Sequence, residues 1–306
     1  MATTIENRGT SDPHADDMPA LKQAPLVVIV GPTASGKSSL AMELASEFNG
    51  EIICADSRTV YKNMDIGTAK PSAEDQAAVP HWGLDLVEPG EVFTAADFKT
   101  YALLKTQQVR ERGHVPFIVG GTGLYVDGVI FDYEFGNPQP ELRKQLESLS
   151  LEELKAYCAN NNIELPENEN NRRYVIRAIE QKSINDKRLR SPIDNIILVG
   201  ITTERTDLRR RIAVRAEQLF ENGMLEEAIK LSKMYGWDSE AMTGNIYKLV
   251  HQYVDGELTL DELKQKNSTA DWRLAKRQLT WLRRNQYITW LSIDDAREYI
   301  RSALKS

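Results

Sequence analysis

Two cysteines among 306 residues, Cys54 and Cys158, cannot staple a fold together. A chain so poor in cysteine fits a reducing cytoplasm, and no Cys/His spacing suits a zinc site. Cys54 lies inside an apolar run and reads as core rather than as a nucleophile. No apolar stretch approaches the ~20 residues that span a bilayer, so no membrane association is expected. Residues 1–24 lack any apolar centre. With Gly9, Pro13 and Pro19 in a polar stretch, they read as a disordered arm, not as a signal or transit peptide. Positive charge is also short: 38 Lys and Arg face 45 Asp and Glu, a net charge of −7 that speaks against a uniformly basic nucleic-acid binder. Repeats and low-complexity tracts are missing. What remains, 41% apolar and 27% charged residues, is the composition of a soluble globular chain of one large domain or two modest ones.

The most informative stretch is Leu26 to Ser38, LVVIVGPTASGKS. Its first five residues read as a buried parallel strand. Gly31, Pro32, Thr33, Ala34, Ser35 and Gly36 then lead into Lys37-Ser38, the G-x-x-x-x-G-K-[ST] pattern of a phosphate-cradling loop. Such a loop aims backbone N–H groups at an anion, and the following helix adds the positive end of its dipole. The spacing of Leu40, Ala41, Leu44, Ala45 and Phe48 predicts that helix over 37–48. Lys37 supplies a charge, and the Ser38 hydroxyl can hold magnesium. The chain is therefore expected to bind a di- or triphosphate.

Further short strands are expected at Glu51 to Ala55 and Val115 to Val119. A helix spans Thr94 to Arg112, capped by Thr94, with Phe98, Ala102, Leu103 and Val109 on one face. Alternating strands and helices predict an α/β fold, a parallel sheet flanked by helices in the manner of P-loop NTPases. This catalytic core is assigned to residues 25–136. Residues 137–192 form a mostly helical insertion. Residues 193–306 return a strand, Asn195 to Ile201, and add C-terminal helices. These lie at Thr206 to Tyr235 (loosened at Gly223), Glu240 to Val254 and Thr259 to Asn285. Tyr287 to Leu291 is β-prone.

Ligands of parallel sheets bind at the carboxyl ends of the strands. Three such ends are identifiable: the phosphate loop, Asp56-Ser57, and Gly120-Gly121-Thr122-Gly123. Asp56 reads as a general base, a metal ligand or a cap on the following turn. Thr122 reads as a phosphate contact or a helix cap. The strand ending at Val119 carries no acid, although P-loop kinases need one to order their metal. Asp85 is the remaining candidate. The phosphates thus read as a leaving group, not as the group transferred. Between Arg172 and Arg215, twelve basic residues outnumber five acids, a local +7 suited to a polyanion.

GPTASGKSSLA, ADSRTVYKNMDIGTAKPS, PHWGLDLVEP, FTAADF, VGGTGLY and LAKRQLTWLRR occur in this order, and together they resemble the tRNA dimethylallyltransferases. The likeness runs from about Leu26 to Leu291. It implies transfer of a dimethylallyl group from dimethylallyl diphosphate to the exocyclic amine of the adenosine 3′ of the anticodon, with diphosphate released. In that family's terms the phosphate loop holds diphosphate rather than ATP, with magnesium on Ser38. Arg215 reaches the diphosphate and Arg211 assists, while Thr122 contacts a diphosphate oxygen. Asp56 takes the proton of the amine. The resemblance places Asp65, Gly67, Thr68 and Lys70 on the tRNA side. Arg172, Arg173, Lys276 and Arg277 would grip the anticodon stem-loop. Gln278 is grouped with them and, like Trp281, reads equally as packing. A monomer is expected.

The segments Asp132 to Gly136, Pro166 to Tyr174 and Thr243 to Lys248 depart from the family pattern, all within the part that grips RNA. His81 reads as structural. Two other functions share some of these features. An adenylate isopentenyltransferase would act on AMP, and a P-loop kinase would consume ATP.

Overall fold

The computed structural model describes residues 23–136, 139–166, 168–181 and 189–306. β1 (Leu26–Val30) is buried at every position, as an inner parallel strand must be. α1 (Lys37–Glu47) buries Leu40, Ala41, Leu44 and Ala45. β2 (Gly50–Ala55) is again buried throughout. A long loop then leads to α2 (Ala73–Ala78), opened by a capping box of Ser72 and Asp75, and to the two-residue β3 (His81–Trp82).

α3 (Ala95–Glu111) starts at Thr94, whose side chain and that of Asp97 satisfy each other's backbone N–H. Its buried face is Phe98, Ala102, Thr106 and Val109. Leu103 was expected there but is 37% exposed, because it points about 100° away from Ala102 around the helix. β4 (Val115–Gly120) and α4 (Gly123–Ile130) complete the first half.

Three helices follow: α5 (Pro140–Glu147), α6 (Leu151–Asn160) and α7 (Arg172–Glu180). They pack on one another through Leu146, Leu154, Cys158, Val175, Ile176 and Ile179, a core separate from the sheet. The change of character expected at Asn137-Pro138 lies outside the described residues.

The chain returns as β5 (Ile196–Ile201), then α8 (Arg205–Glu221) and α9 (Met224–Tyr235). The helical stretch expected across this region, loosened at Gly223, is two helices, parted where Gly223 adopts φ +93°, a conformation glycine takes up readily. A 3₁₀ turn (Ala241–Thr243) precedes α10 (Asn245–Val254) and α11 (Leu260–Leu282). The short β6 (Thr289–Leu291) and an unanticipated α12 (Ile293–Lys305) finish the chain.

Among the described residues the six strands are all parallel, in the order β3-β2-β4-β1-β5-β6. This is the parallel α/β class read from the sequence. α1 and α12 cover one face of the sheet, and α3 and α4 cover the other. A third core joins Val60 and Met64, from the loop after β2, to Leu219, Met224, Leu231, Tyr247, Val250 and Leu263 of α8–α11. That helical lobe is fastened near the carboxyl ends of the strands. The Arg58 guanidinium donates to Ala241 O and Thr243 Oγ1, both at 3.4 Å.

Residues 1–22 of the expected arm lie outside the described residues. Gln23 and Ala24, counted within it, are tied down: their carbonyls accept from Asn195 Nδ2 and Arg110 Nε, each at 2.8 Å. Among the described residues no helix is long and apolar enough to cross a membrane.

Candidate active site

The phosphate loop turns sharply, with Ala34 at φ +61° and Gly36 at φ +91°. A side chain on Gly36 would also strike Ile293, whose Cδ1 stands 2.6 Å from where a Cβ would sit. Pro32 O accepts from Ser35 N at 3.2 Å and from Lys37 Nζ at 3.1 Å. No side chain caps the start of α1, so its first N–H groups and its dipole are open to an anion. Burial pulls the Lys37 ammonium down to about 8; Asp56 opposes that shift and Arg215 adds to it. The Ser35 hydroxyl is buried without a partner among the described residues.

Two arginines one turn apart on α8 reach this loop. Arg215 donates to Thr33 Oγ1 at 2.6 Å, and Arg211 to Ser35 O at 3.3 Å. Arg215 Nε is buried and unpartnered among the described residues. From α11, Gln278 Oε1 accepts from Thr33 N at 2.8 Å. Gly121 admits that side chain, since any Cβ there would strike it. One turn on, Trp281 covers Gly123 and donates from Nε1 to Asp127 Oδ2 at 2.6 Å. The LAKRQLTWLRR block therefore braces the phosphate loop and the Gly-Gly-Thr-Gly turn. Gln278, grouped by sequence with the tRNA contacts, sits inside the cleft on the loop.

Asp56 follows β2 directly. Its Oδ1 accepts from Arg58 N at 2.8 Å, so it does cap the turn as one of its readings required, and Oδ2 is left for chemistry. Thr122 does not cap α4 with its side chain. Instead its Oγ1 accepts from Ser57 N at 3.1 Å, which ties the β2 and β4 loops together and leaves its O–H free to donate. Cys54 is buried and its thiol is pushed up to about 12 by burial, then by Asp56. It is core, as read. His81 hydrogen-bonds through Nδ1 to Val79 O at 2.8 Å. Asp85, the other acid considered, is turned away into an ion pair with Lys70.

These groups share one cleft of about 720 Å³, lined by Thr33, Lys37, Ser38, Asp56, Thr122 and Arg215 among others. Gly67, Thr68, Tyr247, Asn267, Asp271 and Arg277 also line it. Burial raises the Asp271 carboxyl, with Arg215 acting against it.

The residues assigned to tRNA divide into two kinds. Arg173, Lys276 and Arg277 are exposed. Lys70, placed on the tRNA side with the loop at 65–70, is of the second kind, its side chain engaged within the protein. Its side chain is 3% exposed, and its ammonium is taken by Tyr61 O, Asp65 and Asp85 at 2.7, 2.8 and 2.6 Å. It orders its own loop. Arg172 is likewise engaged, donating to the Leu149 and Glu147 carbonyls. Thr68 donates to Met64 O within the same loop. Lys182, Lys187 and Arg188 of the basic stretch lie outside the described residues.

Glu227 escaped the sequence analysis. Its carboxylate accepts from the N–H groups of Asp65, Ile66 and Gly67 at 2.8, 2.7 and 2.9 Å and from Tyr247 Oη at 2.8 Å. The IPP transferase family model matches residues 59–285, most of the chain.

The chain belongs to the IPP transferase family.

Other IPP transferases align along nearly the full length. The tRNA dimethylallyltransferase of Acetivibrio thermocellus is 40% identical over 289 residues, covering 88% of this chain and 92% of that protein. The Bacillus velezensis enzyme of the same name is 37% identical over 285 residues, covering 88% and 91%. The crystal structure of a tRNA isopentenylpyrophosphate transferase from Bacillus halodurans matches with a TM-score of 0.71 at 37% identity, covering 92% of this chain and 97% of that one. The family read from six short blocks is thus the family found.

Proposed function

We propose that this chain, a tRNA-modifying prenyltransferase by family, moves the dimethylallyl group of dimethylallyl diphosphate onto the exocyclic amine of the adenosine 3′ of the anticodon. One observation carries the reading: an anion nest and an uncommitted carboxylate oxygen face the same cleft. The diphosphate sits on the α1 N–H groups, with Lys37, Arg215 and Thr122 around it. Its allylic C–O bond breaks, the amine nitrogen bonds to the released carbon, and Asp56 Oδ2 takes the nitrogen's proton. Charge gathers on the departing oxygens, so donors already fixed in the nest favour the transition state over the ground state.

Magnesium fits this donor set. Ser38 offers a hard hydroxyl oxygen in the cleft, and magnesium accepts one protein oxygen beside phosphate oxygens and water. When bound, it supplies further charge against the leaving diphosphate.

The adenosine must leave its stack to reach Asp56. The loop at 65–70 frames its entry, while Arg173, Lys276, Arg277 and the helical insertion meet the stem-loop phosphates. The reading takes the enzyme as a monomer working on cytoplasmic tRNA.

The test offers labelled dimethylallyl diphosphate to the enzyme with unmodified tRNA, with AMP, and with no acceptor. Label on tRNA alone supports the reading. Label on AMP, or on nothing, defeats it.

A further inference from the structure

Asn267 on α11 is 1% exposed, and among the described residues neither its amide nitrogen nor its amide oxygen has a hydrogen-bond partner. Burying an unpaired amide is costly, so a fold that keeps one leaves it for something that completes it. Asn267 also lines the cleft, beside Leu219, Tyr247 and Asp271.

The helix sets how far along the cleft it stands. Gln278, eleven residues later on α11, is bonded to the phosphate loop at Thr33. At a rise of ~1.5 Å per residue, Asn267 is ~16 Å further along. A five-carbon diphosphate seated in the nest ends short of that point. Beyond the donor, the ligand is the acceptor nucleoside.

Asp56 serves the amine from the end of β2, whereas Asn267 belongs to the helical lobe. An adenosine held at its amine by the sheet side turns its opposite edge toward the lobe. That edge carries ring N3, an acceptor, next to the ribose 2′-hydroxyl, a donor. A carboxamide presents the complementary pair.

We infer that Asn267 reads the sugar edge of the extruded adenosine, with Nδ2 donating to N3 and Oδ1 accepting from the 2′-hydroxyl. The inference rests on the functional reading above. It makes Asn267 a specificity residue that distinguishes ribose from deoxyribose at the modified position, because the 2′-hydroxyl is what separates RNA from DNA there.

Anticodon stem-loop RNAs carrying adenosine, 2′-deoxyadenosine or 3-deazaadenosine at the acceptor position test this, with dimethylallyl diphosphate as donor. The wild-type enzyme loses about tenfold in kcat/KM on each analogue, the worth of one neutral hydrogen bond. Asn267→Leu loses at least as much on the natural RNA and no longer separates the three. Equal rates of the wild-type enzyme on all three RNAs overturn the inference, as does an Asn267→Leu enzyme that still discriminates. The substrate comparison stands even where the variant folds poorly. A wild-type enzyme that modifies none of the RNAs defeats the functional reading and this inference with it.

Discussion

Replacing Glu227 by Gln probes how the acceptor side of the cleft is held. The carboxylate accepts two N–H groups on Oε2, from Asp65 and Ile66, and the Gly67 N–H and Tyr247 hydroxyl on Oε1. An amide has one oxygen, so two of these four donors then meet an NH₂ group. Hydrogen bonds to a charged group contribute ~1.5–3 kcal/mol each. Water reaches exposed Asp65 and recovers part of that, so the net loss is ~2–4 kcal/mol. A domain has only about 5–15 kcal/mol in all, and the loss appears first as local opening of residues 65–67. At ~1.4 kcal/mol per tenfold, hydrogen exchange at these amides accelerates about 10²-fold. The KM for tRNA rises while the affinity for dimethylallyl diphosphate, held at the other end of the cleft, stays the same. Unchanged exchange at 65–67 would refute the reasoning, and so would an equal loss of affinity for both substrates.

Asp56→Ala retains donor binding and lowers turnover about 10²–10⁴-fold; undiminished turnover in single-turnover assays removes Asp56 as the base. Arg215→Ala weakens dimethylallyl diphosphate binding about 10–100-fold, the value of a charge-assisted contact, as read by calorimetry. Glu51 is a stability group: burial pushes its carboxyl up, but hydrogen bonds from Arg112, Trp82 and His114 outweigh that and hold it at about 2. A carboxyl depressed by folding stabilises above its ordinary value of ~4.3, and that contribution disappears as pH falls from there through about 2. Glu51→Gln therefore loses ~2–3 kcal/mol in urea unfolding at neutral pH and converges with the wild type in acid.

The parts legible in the sequence are those that a local rule governs. Apolar runs rich in Val and Ile marked β1, β4 and β5, since a strand buried on both faces needs no polar residue. Glycine and lysine spacing located the phosphate loop, because the anion nest is built from consecutive residues. Thr94 announced α3 as its N-cap, and the structure adds the return bond from Thr94 N to Asp97. What stayed hidden depends on distant chain segments meeting. Glu227 reaches a loop some 160 residues earlier, and nothing in its neighbourhood distinguishes it from a solvated helix acid. Lys70 was placed on the tRNA side with its loop, but sequence cannot show that Asp65, Asp85 and Tyr61 O already surround its ammonium. Asn267 gave no sign either, since its isolation is a property of the packed cleft. α12 was missed although Ser292 caps it and Asp295 donates its N–H to that cap, a signal of the same kind as the one at Thr94.

The helices α5 to α7 have their own apolar centre, and the chain leaves and rejoins the sheet at one place. On the way back, Leu189 N and Ile193 N donate to Phe131 O and Ile130 O, both at 2.8 Å. This pair of bonds clasps the end of α4 to the segment that leads back into β5. The module hangs on the catalytic floor like a cassette in a single slot. Exchanging it for the counterpart from another member would need only two splice junctions, outside β1, α1 and β2. On the proposed function, in which this module meets the stem-loop, its exchange alters the choice of RNA and leaves the alkylation chemistry intact.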